Sequence, residues 1–187
     1  MVKKLGKEFF SRDAKSVAKE LLGKILARNI NGKIFKAKIV EAEAYLDEND
    51  PGSRARQNGD LRETMLMRPG TILVYGVHNN WLVNFVTNLE GKAEAVLLRA
   101  LEPLNFSARL SGPGLLTKEM KIDKGFHKKN IFEQKDLWVE ENNKDNFEIA
   151  ESFRIGLRED LPEKMRFYIR GNKFVSKNKF LLRFPLK

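Results

Sequence analysis

Asn31-Gly32 sits between two strand-like runs, residues 24–28 and 33–45. Both residues tolerate positive φ, and Asn-Gly in this setting is the strongest short-range signal for a hairpin. The second run, Lys-Ile-Phe-Lys-Ala-Lys-Ile-Val-Glu-Ala-Glu-Ala-Tyr, therefore reads as a strand of a hairpin. Side chains alternate along a strand, which puts Phe35, Ala37, Ile39, Glu41, Glu43 and Tyr45 on one face. Val40, Ala42 and Ala44 make the other face apolar. Both faces near the strand's end read as buried, yet one of them carries two carboxylates. An ionised carboxylate out of water is costly unless it is paired or hydrogen-bonded. Salt bridges to Lys or Arg on neighbouring strands would account for the pair, and on composition alone that is the simpler reading.

The rest of the chain supplies a core around this strand. A helix is predicted after Phe9-Phe10, with Ser11 as N-cap, Asp13 in the first turn and Gly23 as its stop. Ala14, Val17, Ala18, Leu21 and Leu22 form its apolar stripe. Residues 47–61 read as a long polar loop with Arg54, Arg56 and Arg62 on its flank. Strands are predicted at 71–75 and 81–87 with a tip at 76–80, then at 95–101, 136–139, 166–170 and 180–184, with a polar turn at 140–145. Ser111-Gly112-Pro113-Gly114 reads as a turn before a helix start; it lacks the lysine of a P-loop. No internal repeat or linker interrupts the 187 residues, which read as one domain, 1–187.

Charge and composition narrow the function. Thirty-five Lys plus Arg against 25 Asp plus Glu give a net charge of +10. Such an excess favours polyanionic partners, nucleic acid above all. A thermophile surface rich in both Lys and Glu is the competing reading, but here the excess is one-sided. Without cysteine there is no disulfide, thiol nucleophile or thiolate metal site. His78 and His127 are far apart, so no metal site and no cofactor is expected. The chain shows no membrane-spanning run and no signal-peptide pattern, which implies a cytoplasmic location.

Five segments in order carry a resemblance. They are Ile39-Val40-Glu41-Ala42-Glu43-Ala44-Tyr45-Leu46, Pro69-Gly70-Thr71 with Val74-Tyr75, Val96-Leu97-Leu98-Arg99-Ala100-Leu101-Glu102-Pro103, Ser111-Gly112-Pro113-Gly114, and Arg166-Phe167-Tyr168-Ile169-Arg170-Gly171. Together they resemble the 3-methyladenine (alkyladenine) DNA glycosylase family over most of the chain. The resemblance implies a mixed α/β domain with a curved, mainly antiparallel sheet and packed helices. It implies a monomer that binds double-stranded DNA, flips a damaged purine out of the stack and hydrolyses its N-glycosidic bond without cutting the strand. Glu43 falls at the residue that activates the water, Arg99 at the arginine that holds both, and the main chain near Ile169 beside the same water. Glu41 matches no catalytic role and keeps its structural reading. Tyr45 and Tyr75 match aromatics that sandwich the base, and Asn84 an asparagine that crowds the amino group of normal guanine.

Two positions depart from the family pattern. Arg54 stands where the family has a pocket histidine. A guanidinium facing the pocket would oppose a cationic lesion such as 7-methylguanine, whereas one turned outward would contact a phosphate. The tip at 76–80 is a residue shorter than the family's, so either Val77 or His78 falls at the aromatic wedge that fills the gap in the duplex. The rival readings are a non-catalytic DNA- or RNA-binding protein on the same scaffold and a small-molecule binder with a basic surface.

Overall fold

Turn chemistry sets where the strands begin. In the computed structural model, which describes residues 2–142 and 146–177, Asn31 and Gly32 take φ of 53° and 84°. This is the left-handed pair of a two-residue hairpin. It joins β1 (Ile25–Ile30) to β2 (Lys33–Tyr45), with Ile30 opposite Lys33. The tip expected at 76–80 is tighter than its span in the sequence. Only His78 and Asn79 turn, with φ of 46° and 61°, between β3 (Ile72–Val77) and β4 (Asn80–Val86).

The helical start differs from expectation. Phe9 and Phe10 belong to a short helix α1 (Lys7–Phe10), and Ser11 caps nothing downstream. The N-cap of α2 (Ala14–Leu21) is Asp13, whose carboxylate accepts from the Ser16 N–H at 2.8 Å. A negative cap also suits the positive end of the helix, so Asp wins over Ser two residues earlier. The apolar stripe is as predicted, with Ala14, Val17, Ala18 and Leu21 all buried. The stretch at 47–61 is not an open loop. It holds a 3-10 turn at Arg54–Arg56 and the start of α3 (Asp60–Met65), pinned by buried Ala55 and Met65.

Among the described residues, eight strands form one antiparallel sheet. Its order is β3-β4-β5-β2-β1-β6, where β5 is Ala95–Pro103 and β6 is Leu137–Glu140. β8 (Arg166–Ile169) lies along the end of β2, opposite Glu41–Glu43, and β7 (Ile149–Ser152) pairs with β8. β7 was not foreseen, because Ile-Ala-Glu-Ser carries no apolar alternation in the sequence, its Ile149 being exposed and only Ala150 buried. The strand expected at 180–184 and the last residues of the turn expected at 140–145 lie outside the described residues. The sheet curls into a half-barrel, as β-sheets twist and bulge by nature.

One face of the sheet packs on α2 and α4 (Pro113–Glu119) through Val40, Ala42, Ala44, Val74, Phe85 and Leu98. Fully burying a side chain such as Phe85 contributes about 1.5–3 kcal/mol. The alternate residues point the other way, and Leu73, Val86 and Ala95 meet Ala55 and Met65 there in a smaller cluster. The single face predicted for 35–45 breaks at a bulge. In the β2–β5 ladder Ile39 faces Leu101, Glu41 faces Ala100 and Ala42 faces Leu98, so Val40 and Arg99 have no opposite number. Ala37 and Ile39 consequently join the main core, while Glu41, Glu43 and Tyr45 turn to the other side. Bulges re-aim side chains in this way and are enriched beside functional sites.

Candidate active site

The bulged segment places two fully buried carboxylates beside one guanidinium. Glu43 Oε2 accepts from the Tyr45 hydroxyl at 2.8 Å and from Arg99 Nη1 at 3.2 Å, and Oε1 accepts from the Ile155 N–H at 2.8 Å. Glu41 accepts from Arg166 Nε at 2.6 Å, the Ser176 N–H at 2.7 Å and Ser176 Oγ at 2.8 Å. Arg99 Nε points at Glu41 from 3.4 Å but completes no hydrogen bond. Burial pushes the Glu43 carboxyl above its ordinary pKa even though Arg99 and the Ile155 N–H pull it down. Burial, reinforced by Glu43, also lifts the Tyr45 phenol, which therefore stays a proton donor. Glu41 has the structural setting expected of it, paired with arginines on neighbouring strands.

In front of Glu43 lies a cleft of about 340 Å³, walled by Tyr45, Tyr75, Arg54, Leu97, Arg99 and Ile155. Ligand sites run from about 300 to 1,000 Å³, so this one suits a single flat ring system. Tyr45 is on β2 and Tyr75 on β3, three strands away in the sheet, and the curl brings both to one cleft. Burial raises the Tyr75 phenol, offset in part by Arg54. Val77 and His78 both reach the rim; Val77 is half-buried at the end of β3 and His78 is exposed at the apex of the turn. Gly114 completes the rim, and a Cβ there would lie 2.7 Å from the Asn80 side chain. Asn84 is buried and does not line the cleft. Its amide donates to the Leu73 carbonyl at 3.2 Å, and it touches the site through the Tyr75 hydroxyl. Arg54 is turned inward, its guanidinium 4.9 Å from the centre of the Tyr75 ring.

One expected contact is corrected. The main-chain group at the Glu43 carboxylate belongs to Ile155, not to Ile169. Ile169 sits at the end of β8 opposite Ile149 and lines a separate groove with Lys38 and Arg170. The antiparallel register explains this: β8 brings Arg166 level with Glu43, and three further residues carry Ile169 past it.

What holds Ile155 was missed in the sequence. Arg154 is wholly buried and donates to both Asp50 oxygens at 2.6 Å, to Asp160 at 2.6 Å and to the Ala44 carbonyl at 3.0 Å. It also lies over Tyr45, 4.6 Å from the ring centre. Burial disfavours the Asp50 charge, but Arg154 and the N–H groups of Leu46 and Gly52 bring its pKa below the ordinary value. Asp50 and Arg154 are 104 residues apart, and each sits in a polar stretch that reads as solvated loop. Nothing in one sequence pairs them. Among the described residues no three His, Asp or Glu side chains gather to hold a metal ion, and no helix is long and apolar enough to cross a membrane.

Comparison with known proteins places the chain in one family. Residues 8–173 match the family described as methylpurine-DNA glycosylase. A protein of Aeropyrum pernix, provisionally named 3-methyladenine DNA glycosylase, is 43% identical over 181 residues, spanning 92% of this chain and 93% of that protein. Proteins bearing the same name from Clostridium beijerinckii and Legionella pneumophila are each 37% identical, over 201 and 184 residues. The former alignment spans 92% of this chain and 98% of the relative, the latter 94% and 100%.

Proposed function

The chain belongs to the methylpurine-DNA glycosylase family, and from that premise we propose that it excises damaged purines from duplex DNA by water attack on the glycosidic carbon. The observation that carries this reading is Glu43, a buried carboxylate whose three donors, Tyr45, Arg99 and Ile155, all line the cleft. A carboxylate has about four acceptor positions. Two on Oε2 and one on Oε1 are taken, so Oε1 keeps one for a water beside Ile155.

The damaged nucleotide leaves the stack and its base enters the cleft against Tyr45 and Tyr75. Val77 and His78, at the rim, fill the gap in the duplex. As the bond between C1′ and the base breaks, its electron pair goes to the purine and positive charge grows on the sugar. The Glu43 carboxylate opposes that charge, and its Oε1 takes a proton from the water whose oxygen bonds to C1′. Arg99 keeps the carboxylate aimed. No amine nucleophile takes part, so the strand is left intact at an abasic sugar.

Two duplexes, one carrying a labelled 3-methyladenine and one a labelled hypoxanthine, test the reading by release of either base. Free base with an unbroken strand is the expected product. Binding without release would hand the site to a non-catalytic DNA-binding protein, and no affinity for DNA would defeat both. Binding should also weaken steeply with salt, because Lys and Arg displace counterions from phosphates.

A further inference from the structure

The two tyrosines of the cleft each carry an arginine, and the two arginines differ. Arg154 over Tyr45 is saturated by Asp50, Asp160 and a carbonyl. Arg54 over Tyr75 is half-buried, lines the cleft, and has no carboxylate partner among the described residues. Its backbone is fixed nonetheless. Ser53 Oγ caps the turn by accepting from the Ala55 N–H at 3.1 Å and donates to the Leu46 carbonyl at 2.5 Å, and Ala55 is fully buried. The turn thus holds a flat fork of donors in the cleft wall, engaged by Tyr75 and by no carboxylate among the described residues. Such a fork matches two adjacent acceptor atoms, and it cannot lose its charge.

Resting on the glycosylase reading, we propose that Arg54 makes this protein selective for neutral 6-oxopurines, of which hypoxanthine is the simplest, by donating to N7 and O6 of the flipped base. Guanidinium to O6 and N7 is the geometry by which arginine reads an oxopurine edge in duplex DNA. Here the contact also serves the chemistry. A cationic lesion such as 7-methylguanine departs as a neutral molecule and needs no help. A neutral purine departs with the electron pair of the C1′–N9 bond, and the negative charge spreads over the imidazole ring to N7. A guanidinium at N7 meets that charge where it develops and gives up no proton. Water supplies hydroxyl to C1′ and a proton to Glu43, and the released purine anion regains a proton from solvent. On 7-methylguanine the same residue works against the reaction, since the methyl group removes the N7 acceptor and the lesion is itself positive.

The test is single-turnover base release from two otherwise identical duplexes, one with hypoxanthine and one with 7-methylguanine, by wild type, Arg54→Gln and Arg54→Lys. Wild type should favour hypoxanthine. Arg54→Gln should lower hypoxanthine release about 10- to 100-fold, the worth of one bidentate pair, and raise 7-methylguanine release, so the two rates move in opposite directions. Arg54→Lys keeps the charge without the fork and should fall between; it also carries the test if the glutamine variant does not fold. Both rates falling by one factor, or a ratio unchanged in both variants, would overturn the assignment while leaving the glycosylase reading intact. A wild type that releases neither base, nor 3-methyladenine, would overturn both.

Discussion

Glu41 and Glu43 stand two residues apart on β2, both without exposed surface and both within 3.4 Å of Arg99. Their surroundings diverge from there. The donors of Glu41 are Arg166 of β8 and both groups of Ser176, all of them buried, so the carboxylate is sealed between strands. The donors of Glu43 are a phenol, a guanidinium and a half-buried N–H that together form the wall of the cleft. The same residue type on the same strand is thus a tie in one place and, in the proposed mechanism, a reagent in the other. Burial alone does not separate them; what separates them is whether the groups that satisfy the charge also face a ligand.

The largest effect should come from the reagent. Glu43→Gln keeps the shape and removes the base, and general-base catalysis is worth about 10²- to 10⁴-fold. Base release should fall by that order while affinity for a lesion duplex barely moves. Turnover close to wild type would end the proposed mechanism.

Next comes the buried ion pair that positions Ile155. Asp50→Ala leaves Arg154 with Asp160 and uncovers a buried charge, a change that typically costs about 3–5 kcal/mol. Denaturant unfolding should show that loss. Base release by the remaining folded protein should also slow, because the Ile155 N–H is no longer held against Glu43. A cost below about 1 kcal/mol, the scale of an exposed pair, would mean that Arg154 is not what orders this wall.

The first contrast was half legible in the sequence. The Asn-Gly turn and the alternation after it announce β2, and two glutamates on a strand with both faces apolar announce a buried charge. Telling the two apart took the resemblance, since spacing treats Glu41 and Glu43 alike. The bulge at Val40 and Arg99 was invisible, because it arises from pairing between β2 and β5 and not from either strand alone. Likewise Arg154, Asp50 and Asp160 read as charges of polar loops, and only the fold makes them a buried cluster. Arg54 was flagged as a departure, but its direction depended on how Ala55 and Met65 anchor the 47–61 stretch.

Glu41→Gln sharpens the comparison from the structural side. An amide offers one acceptor oxygen where three donors and Arg99 now point, so at least one buried donor is orphaned. Leaving such a group unsatisfied costs about 1–3 kcal/mol. Stability to denaturant should drop accordingly, and release by the folded fraction should stay within a few-fold of wild type. If this variant instead loses catalysis without losing stability, the two carboxylates have been assigned the wrong way round.

The subtlest prediction sets stability against activity in Glu43 itself. Its folded-state pKa lies above the ordinary 4.5, chiefly because burial disfavours the charge, with Glu41 adding a little and Arg99, Ile155 and Tyr45 pulling back. A carboxyl that holds its proton more tightly when folded stabilises the fold fully below the unfolded value and loses that contribution as pH rises through the folded one. The proposed mechanism needs the opposite state, since only a carboxylate accepts the water's proton. Over one pH window, then, Glu43 should become more active and more costly together. A glutamine does not titrate, so the Tm of Glu43→Gln minus that of wild type should grow as pH is raised from 4 through that window. Base release by wild type should rise over the same interval. A Tm difference that stays flat, or shrinks, would mean that Arg99, Ile155 and Tyr45 outweigh burial, and that Glu43 is as settled in its ionised form as a structural carboxylate.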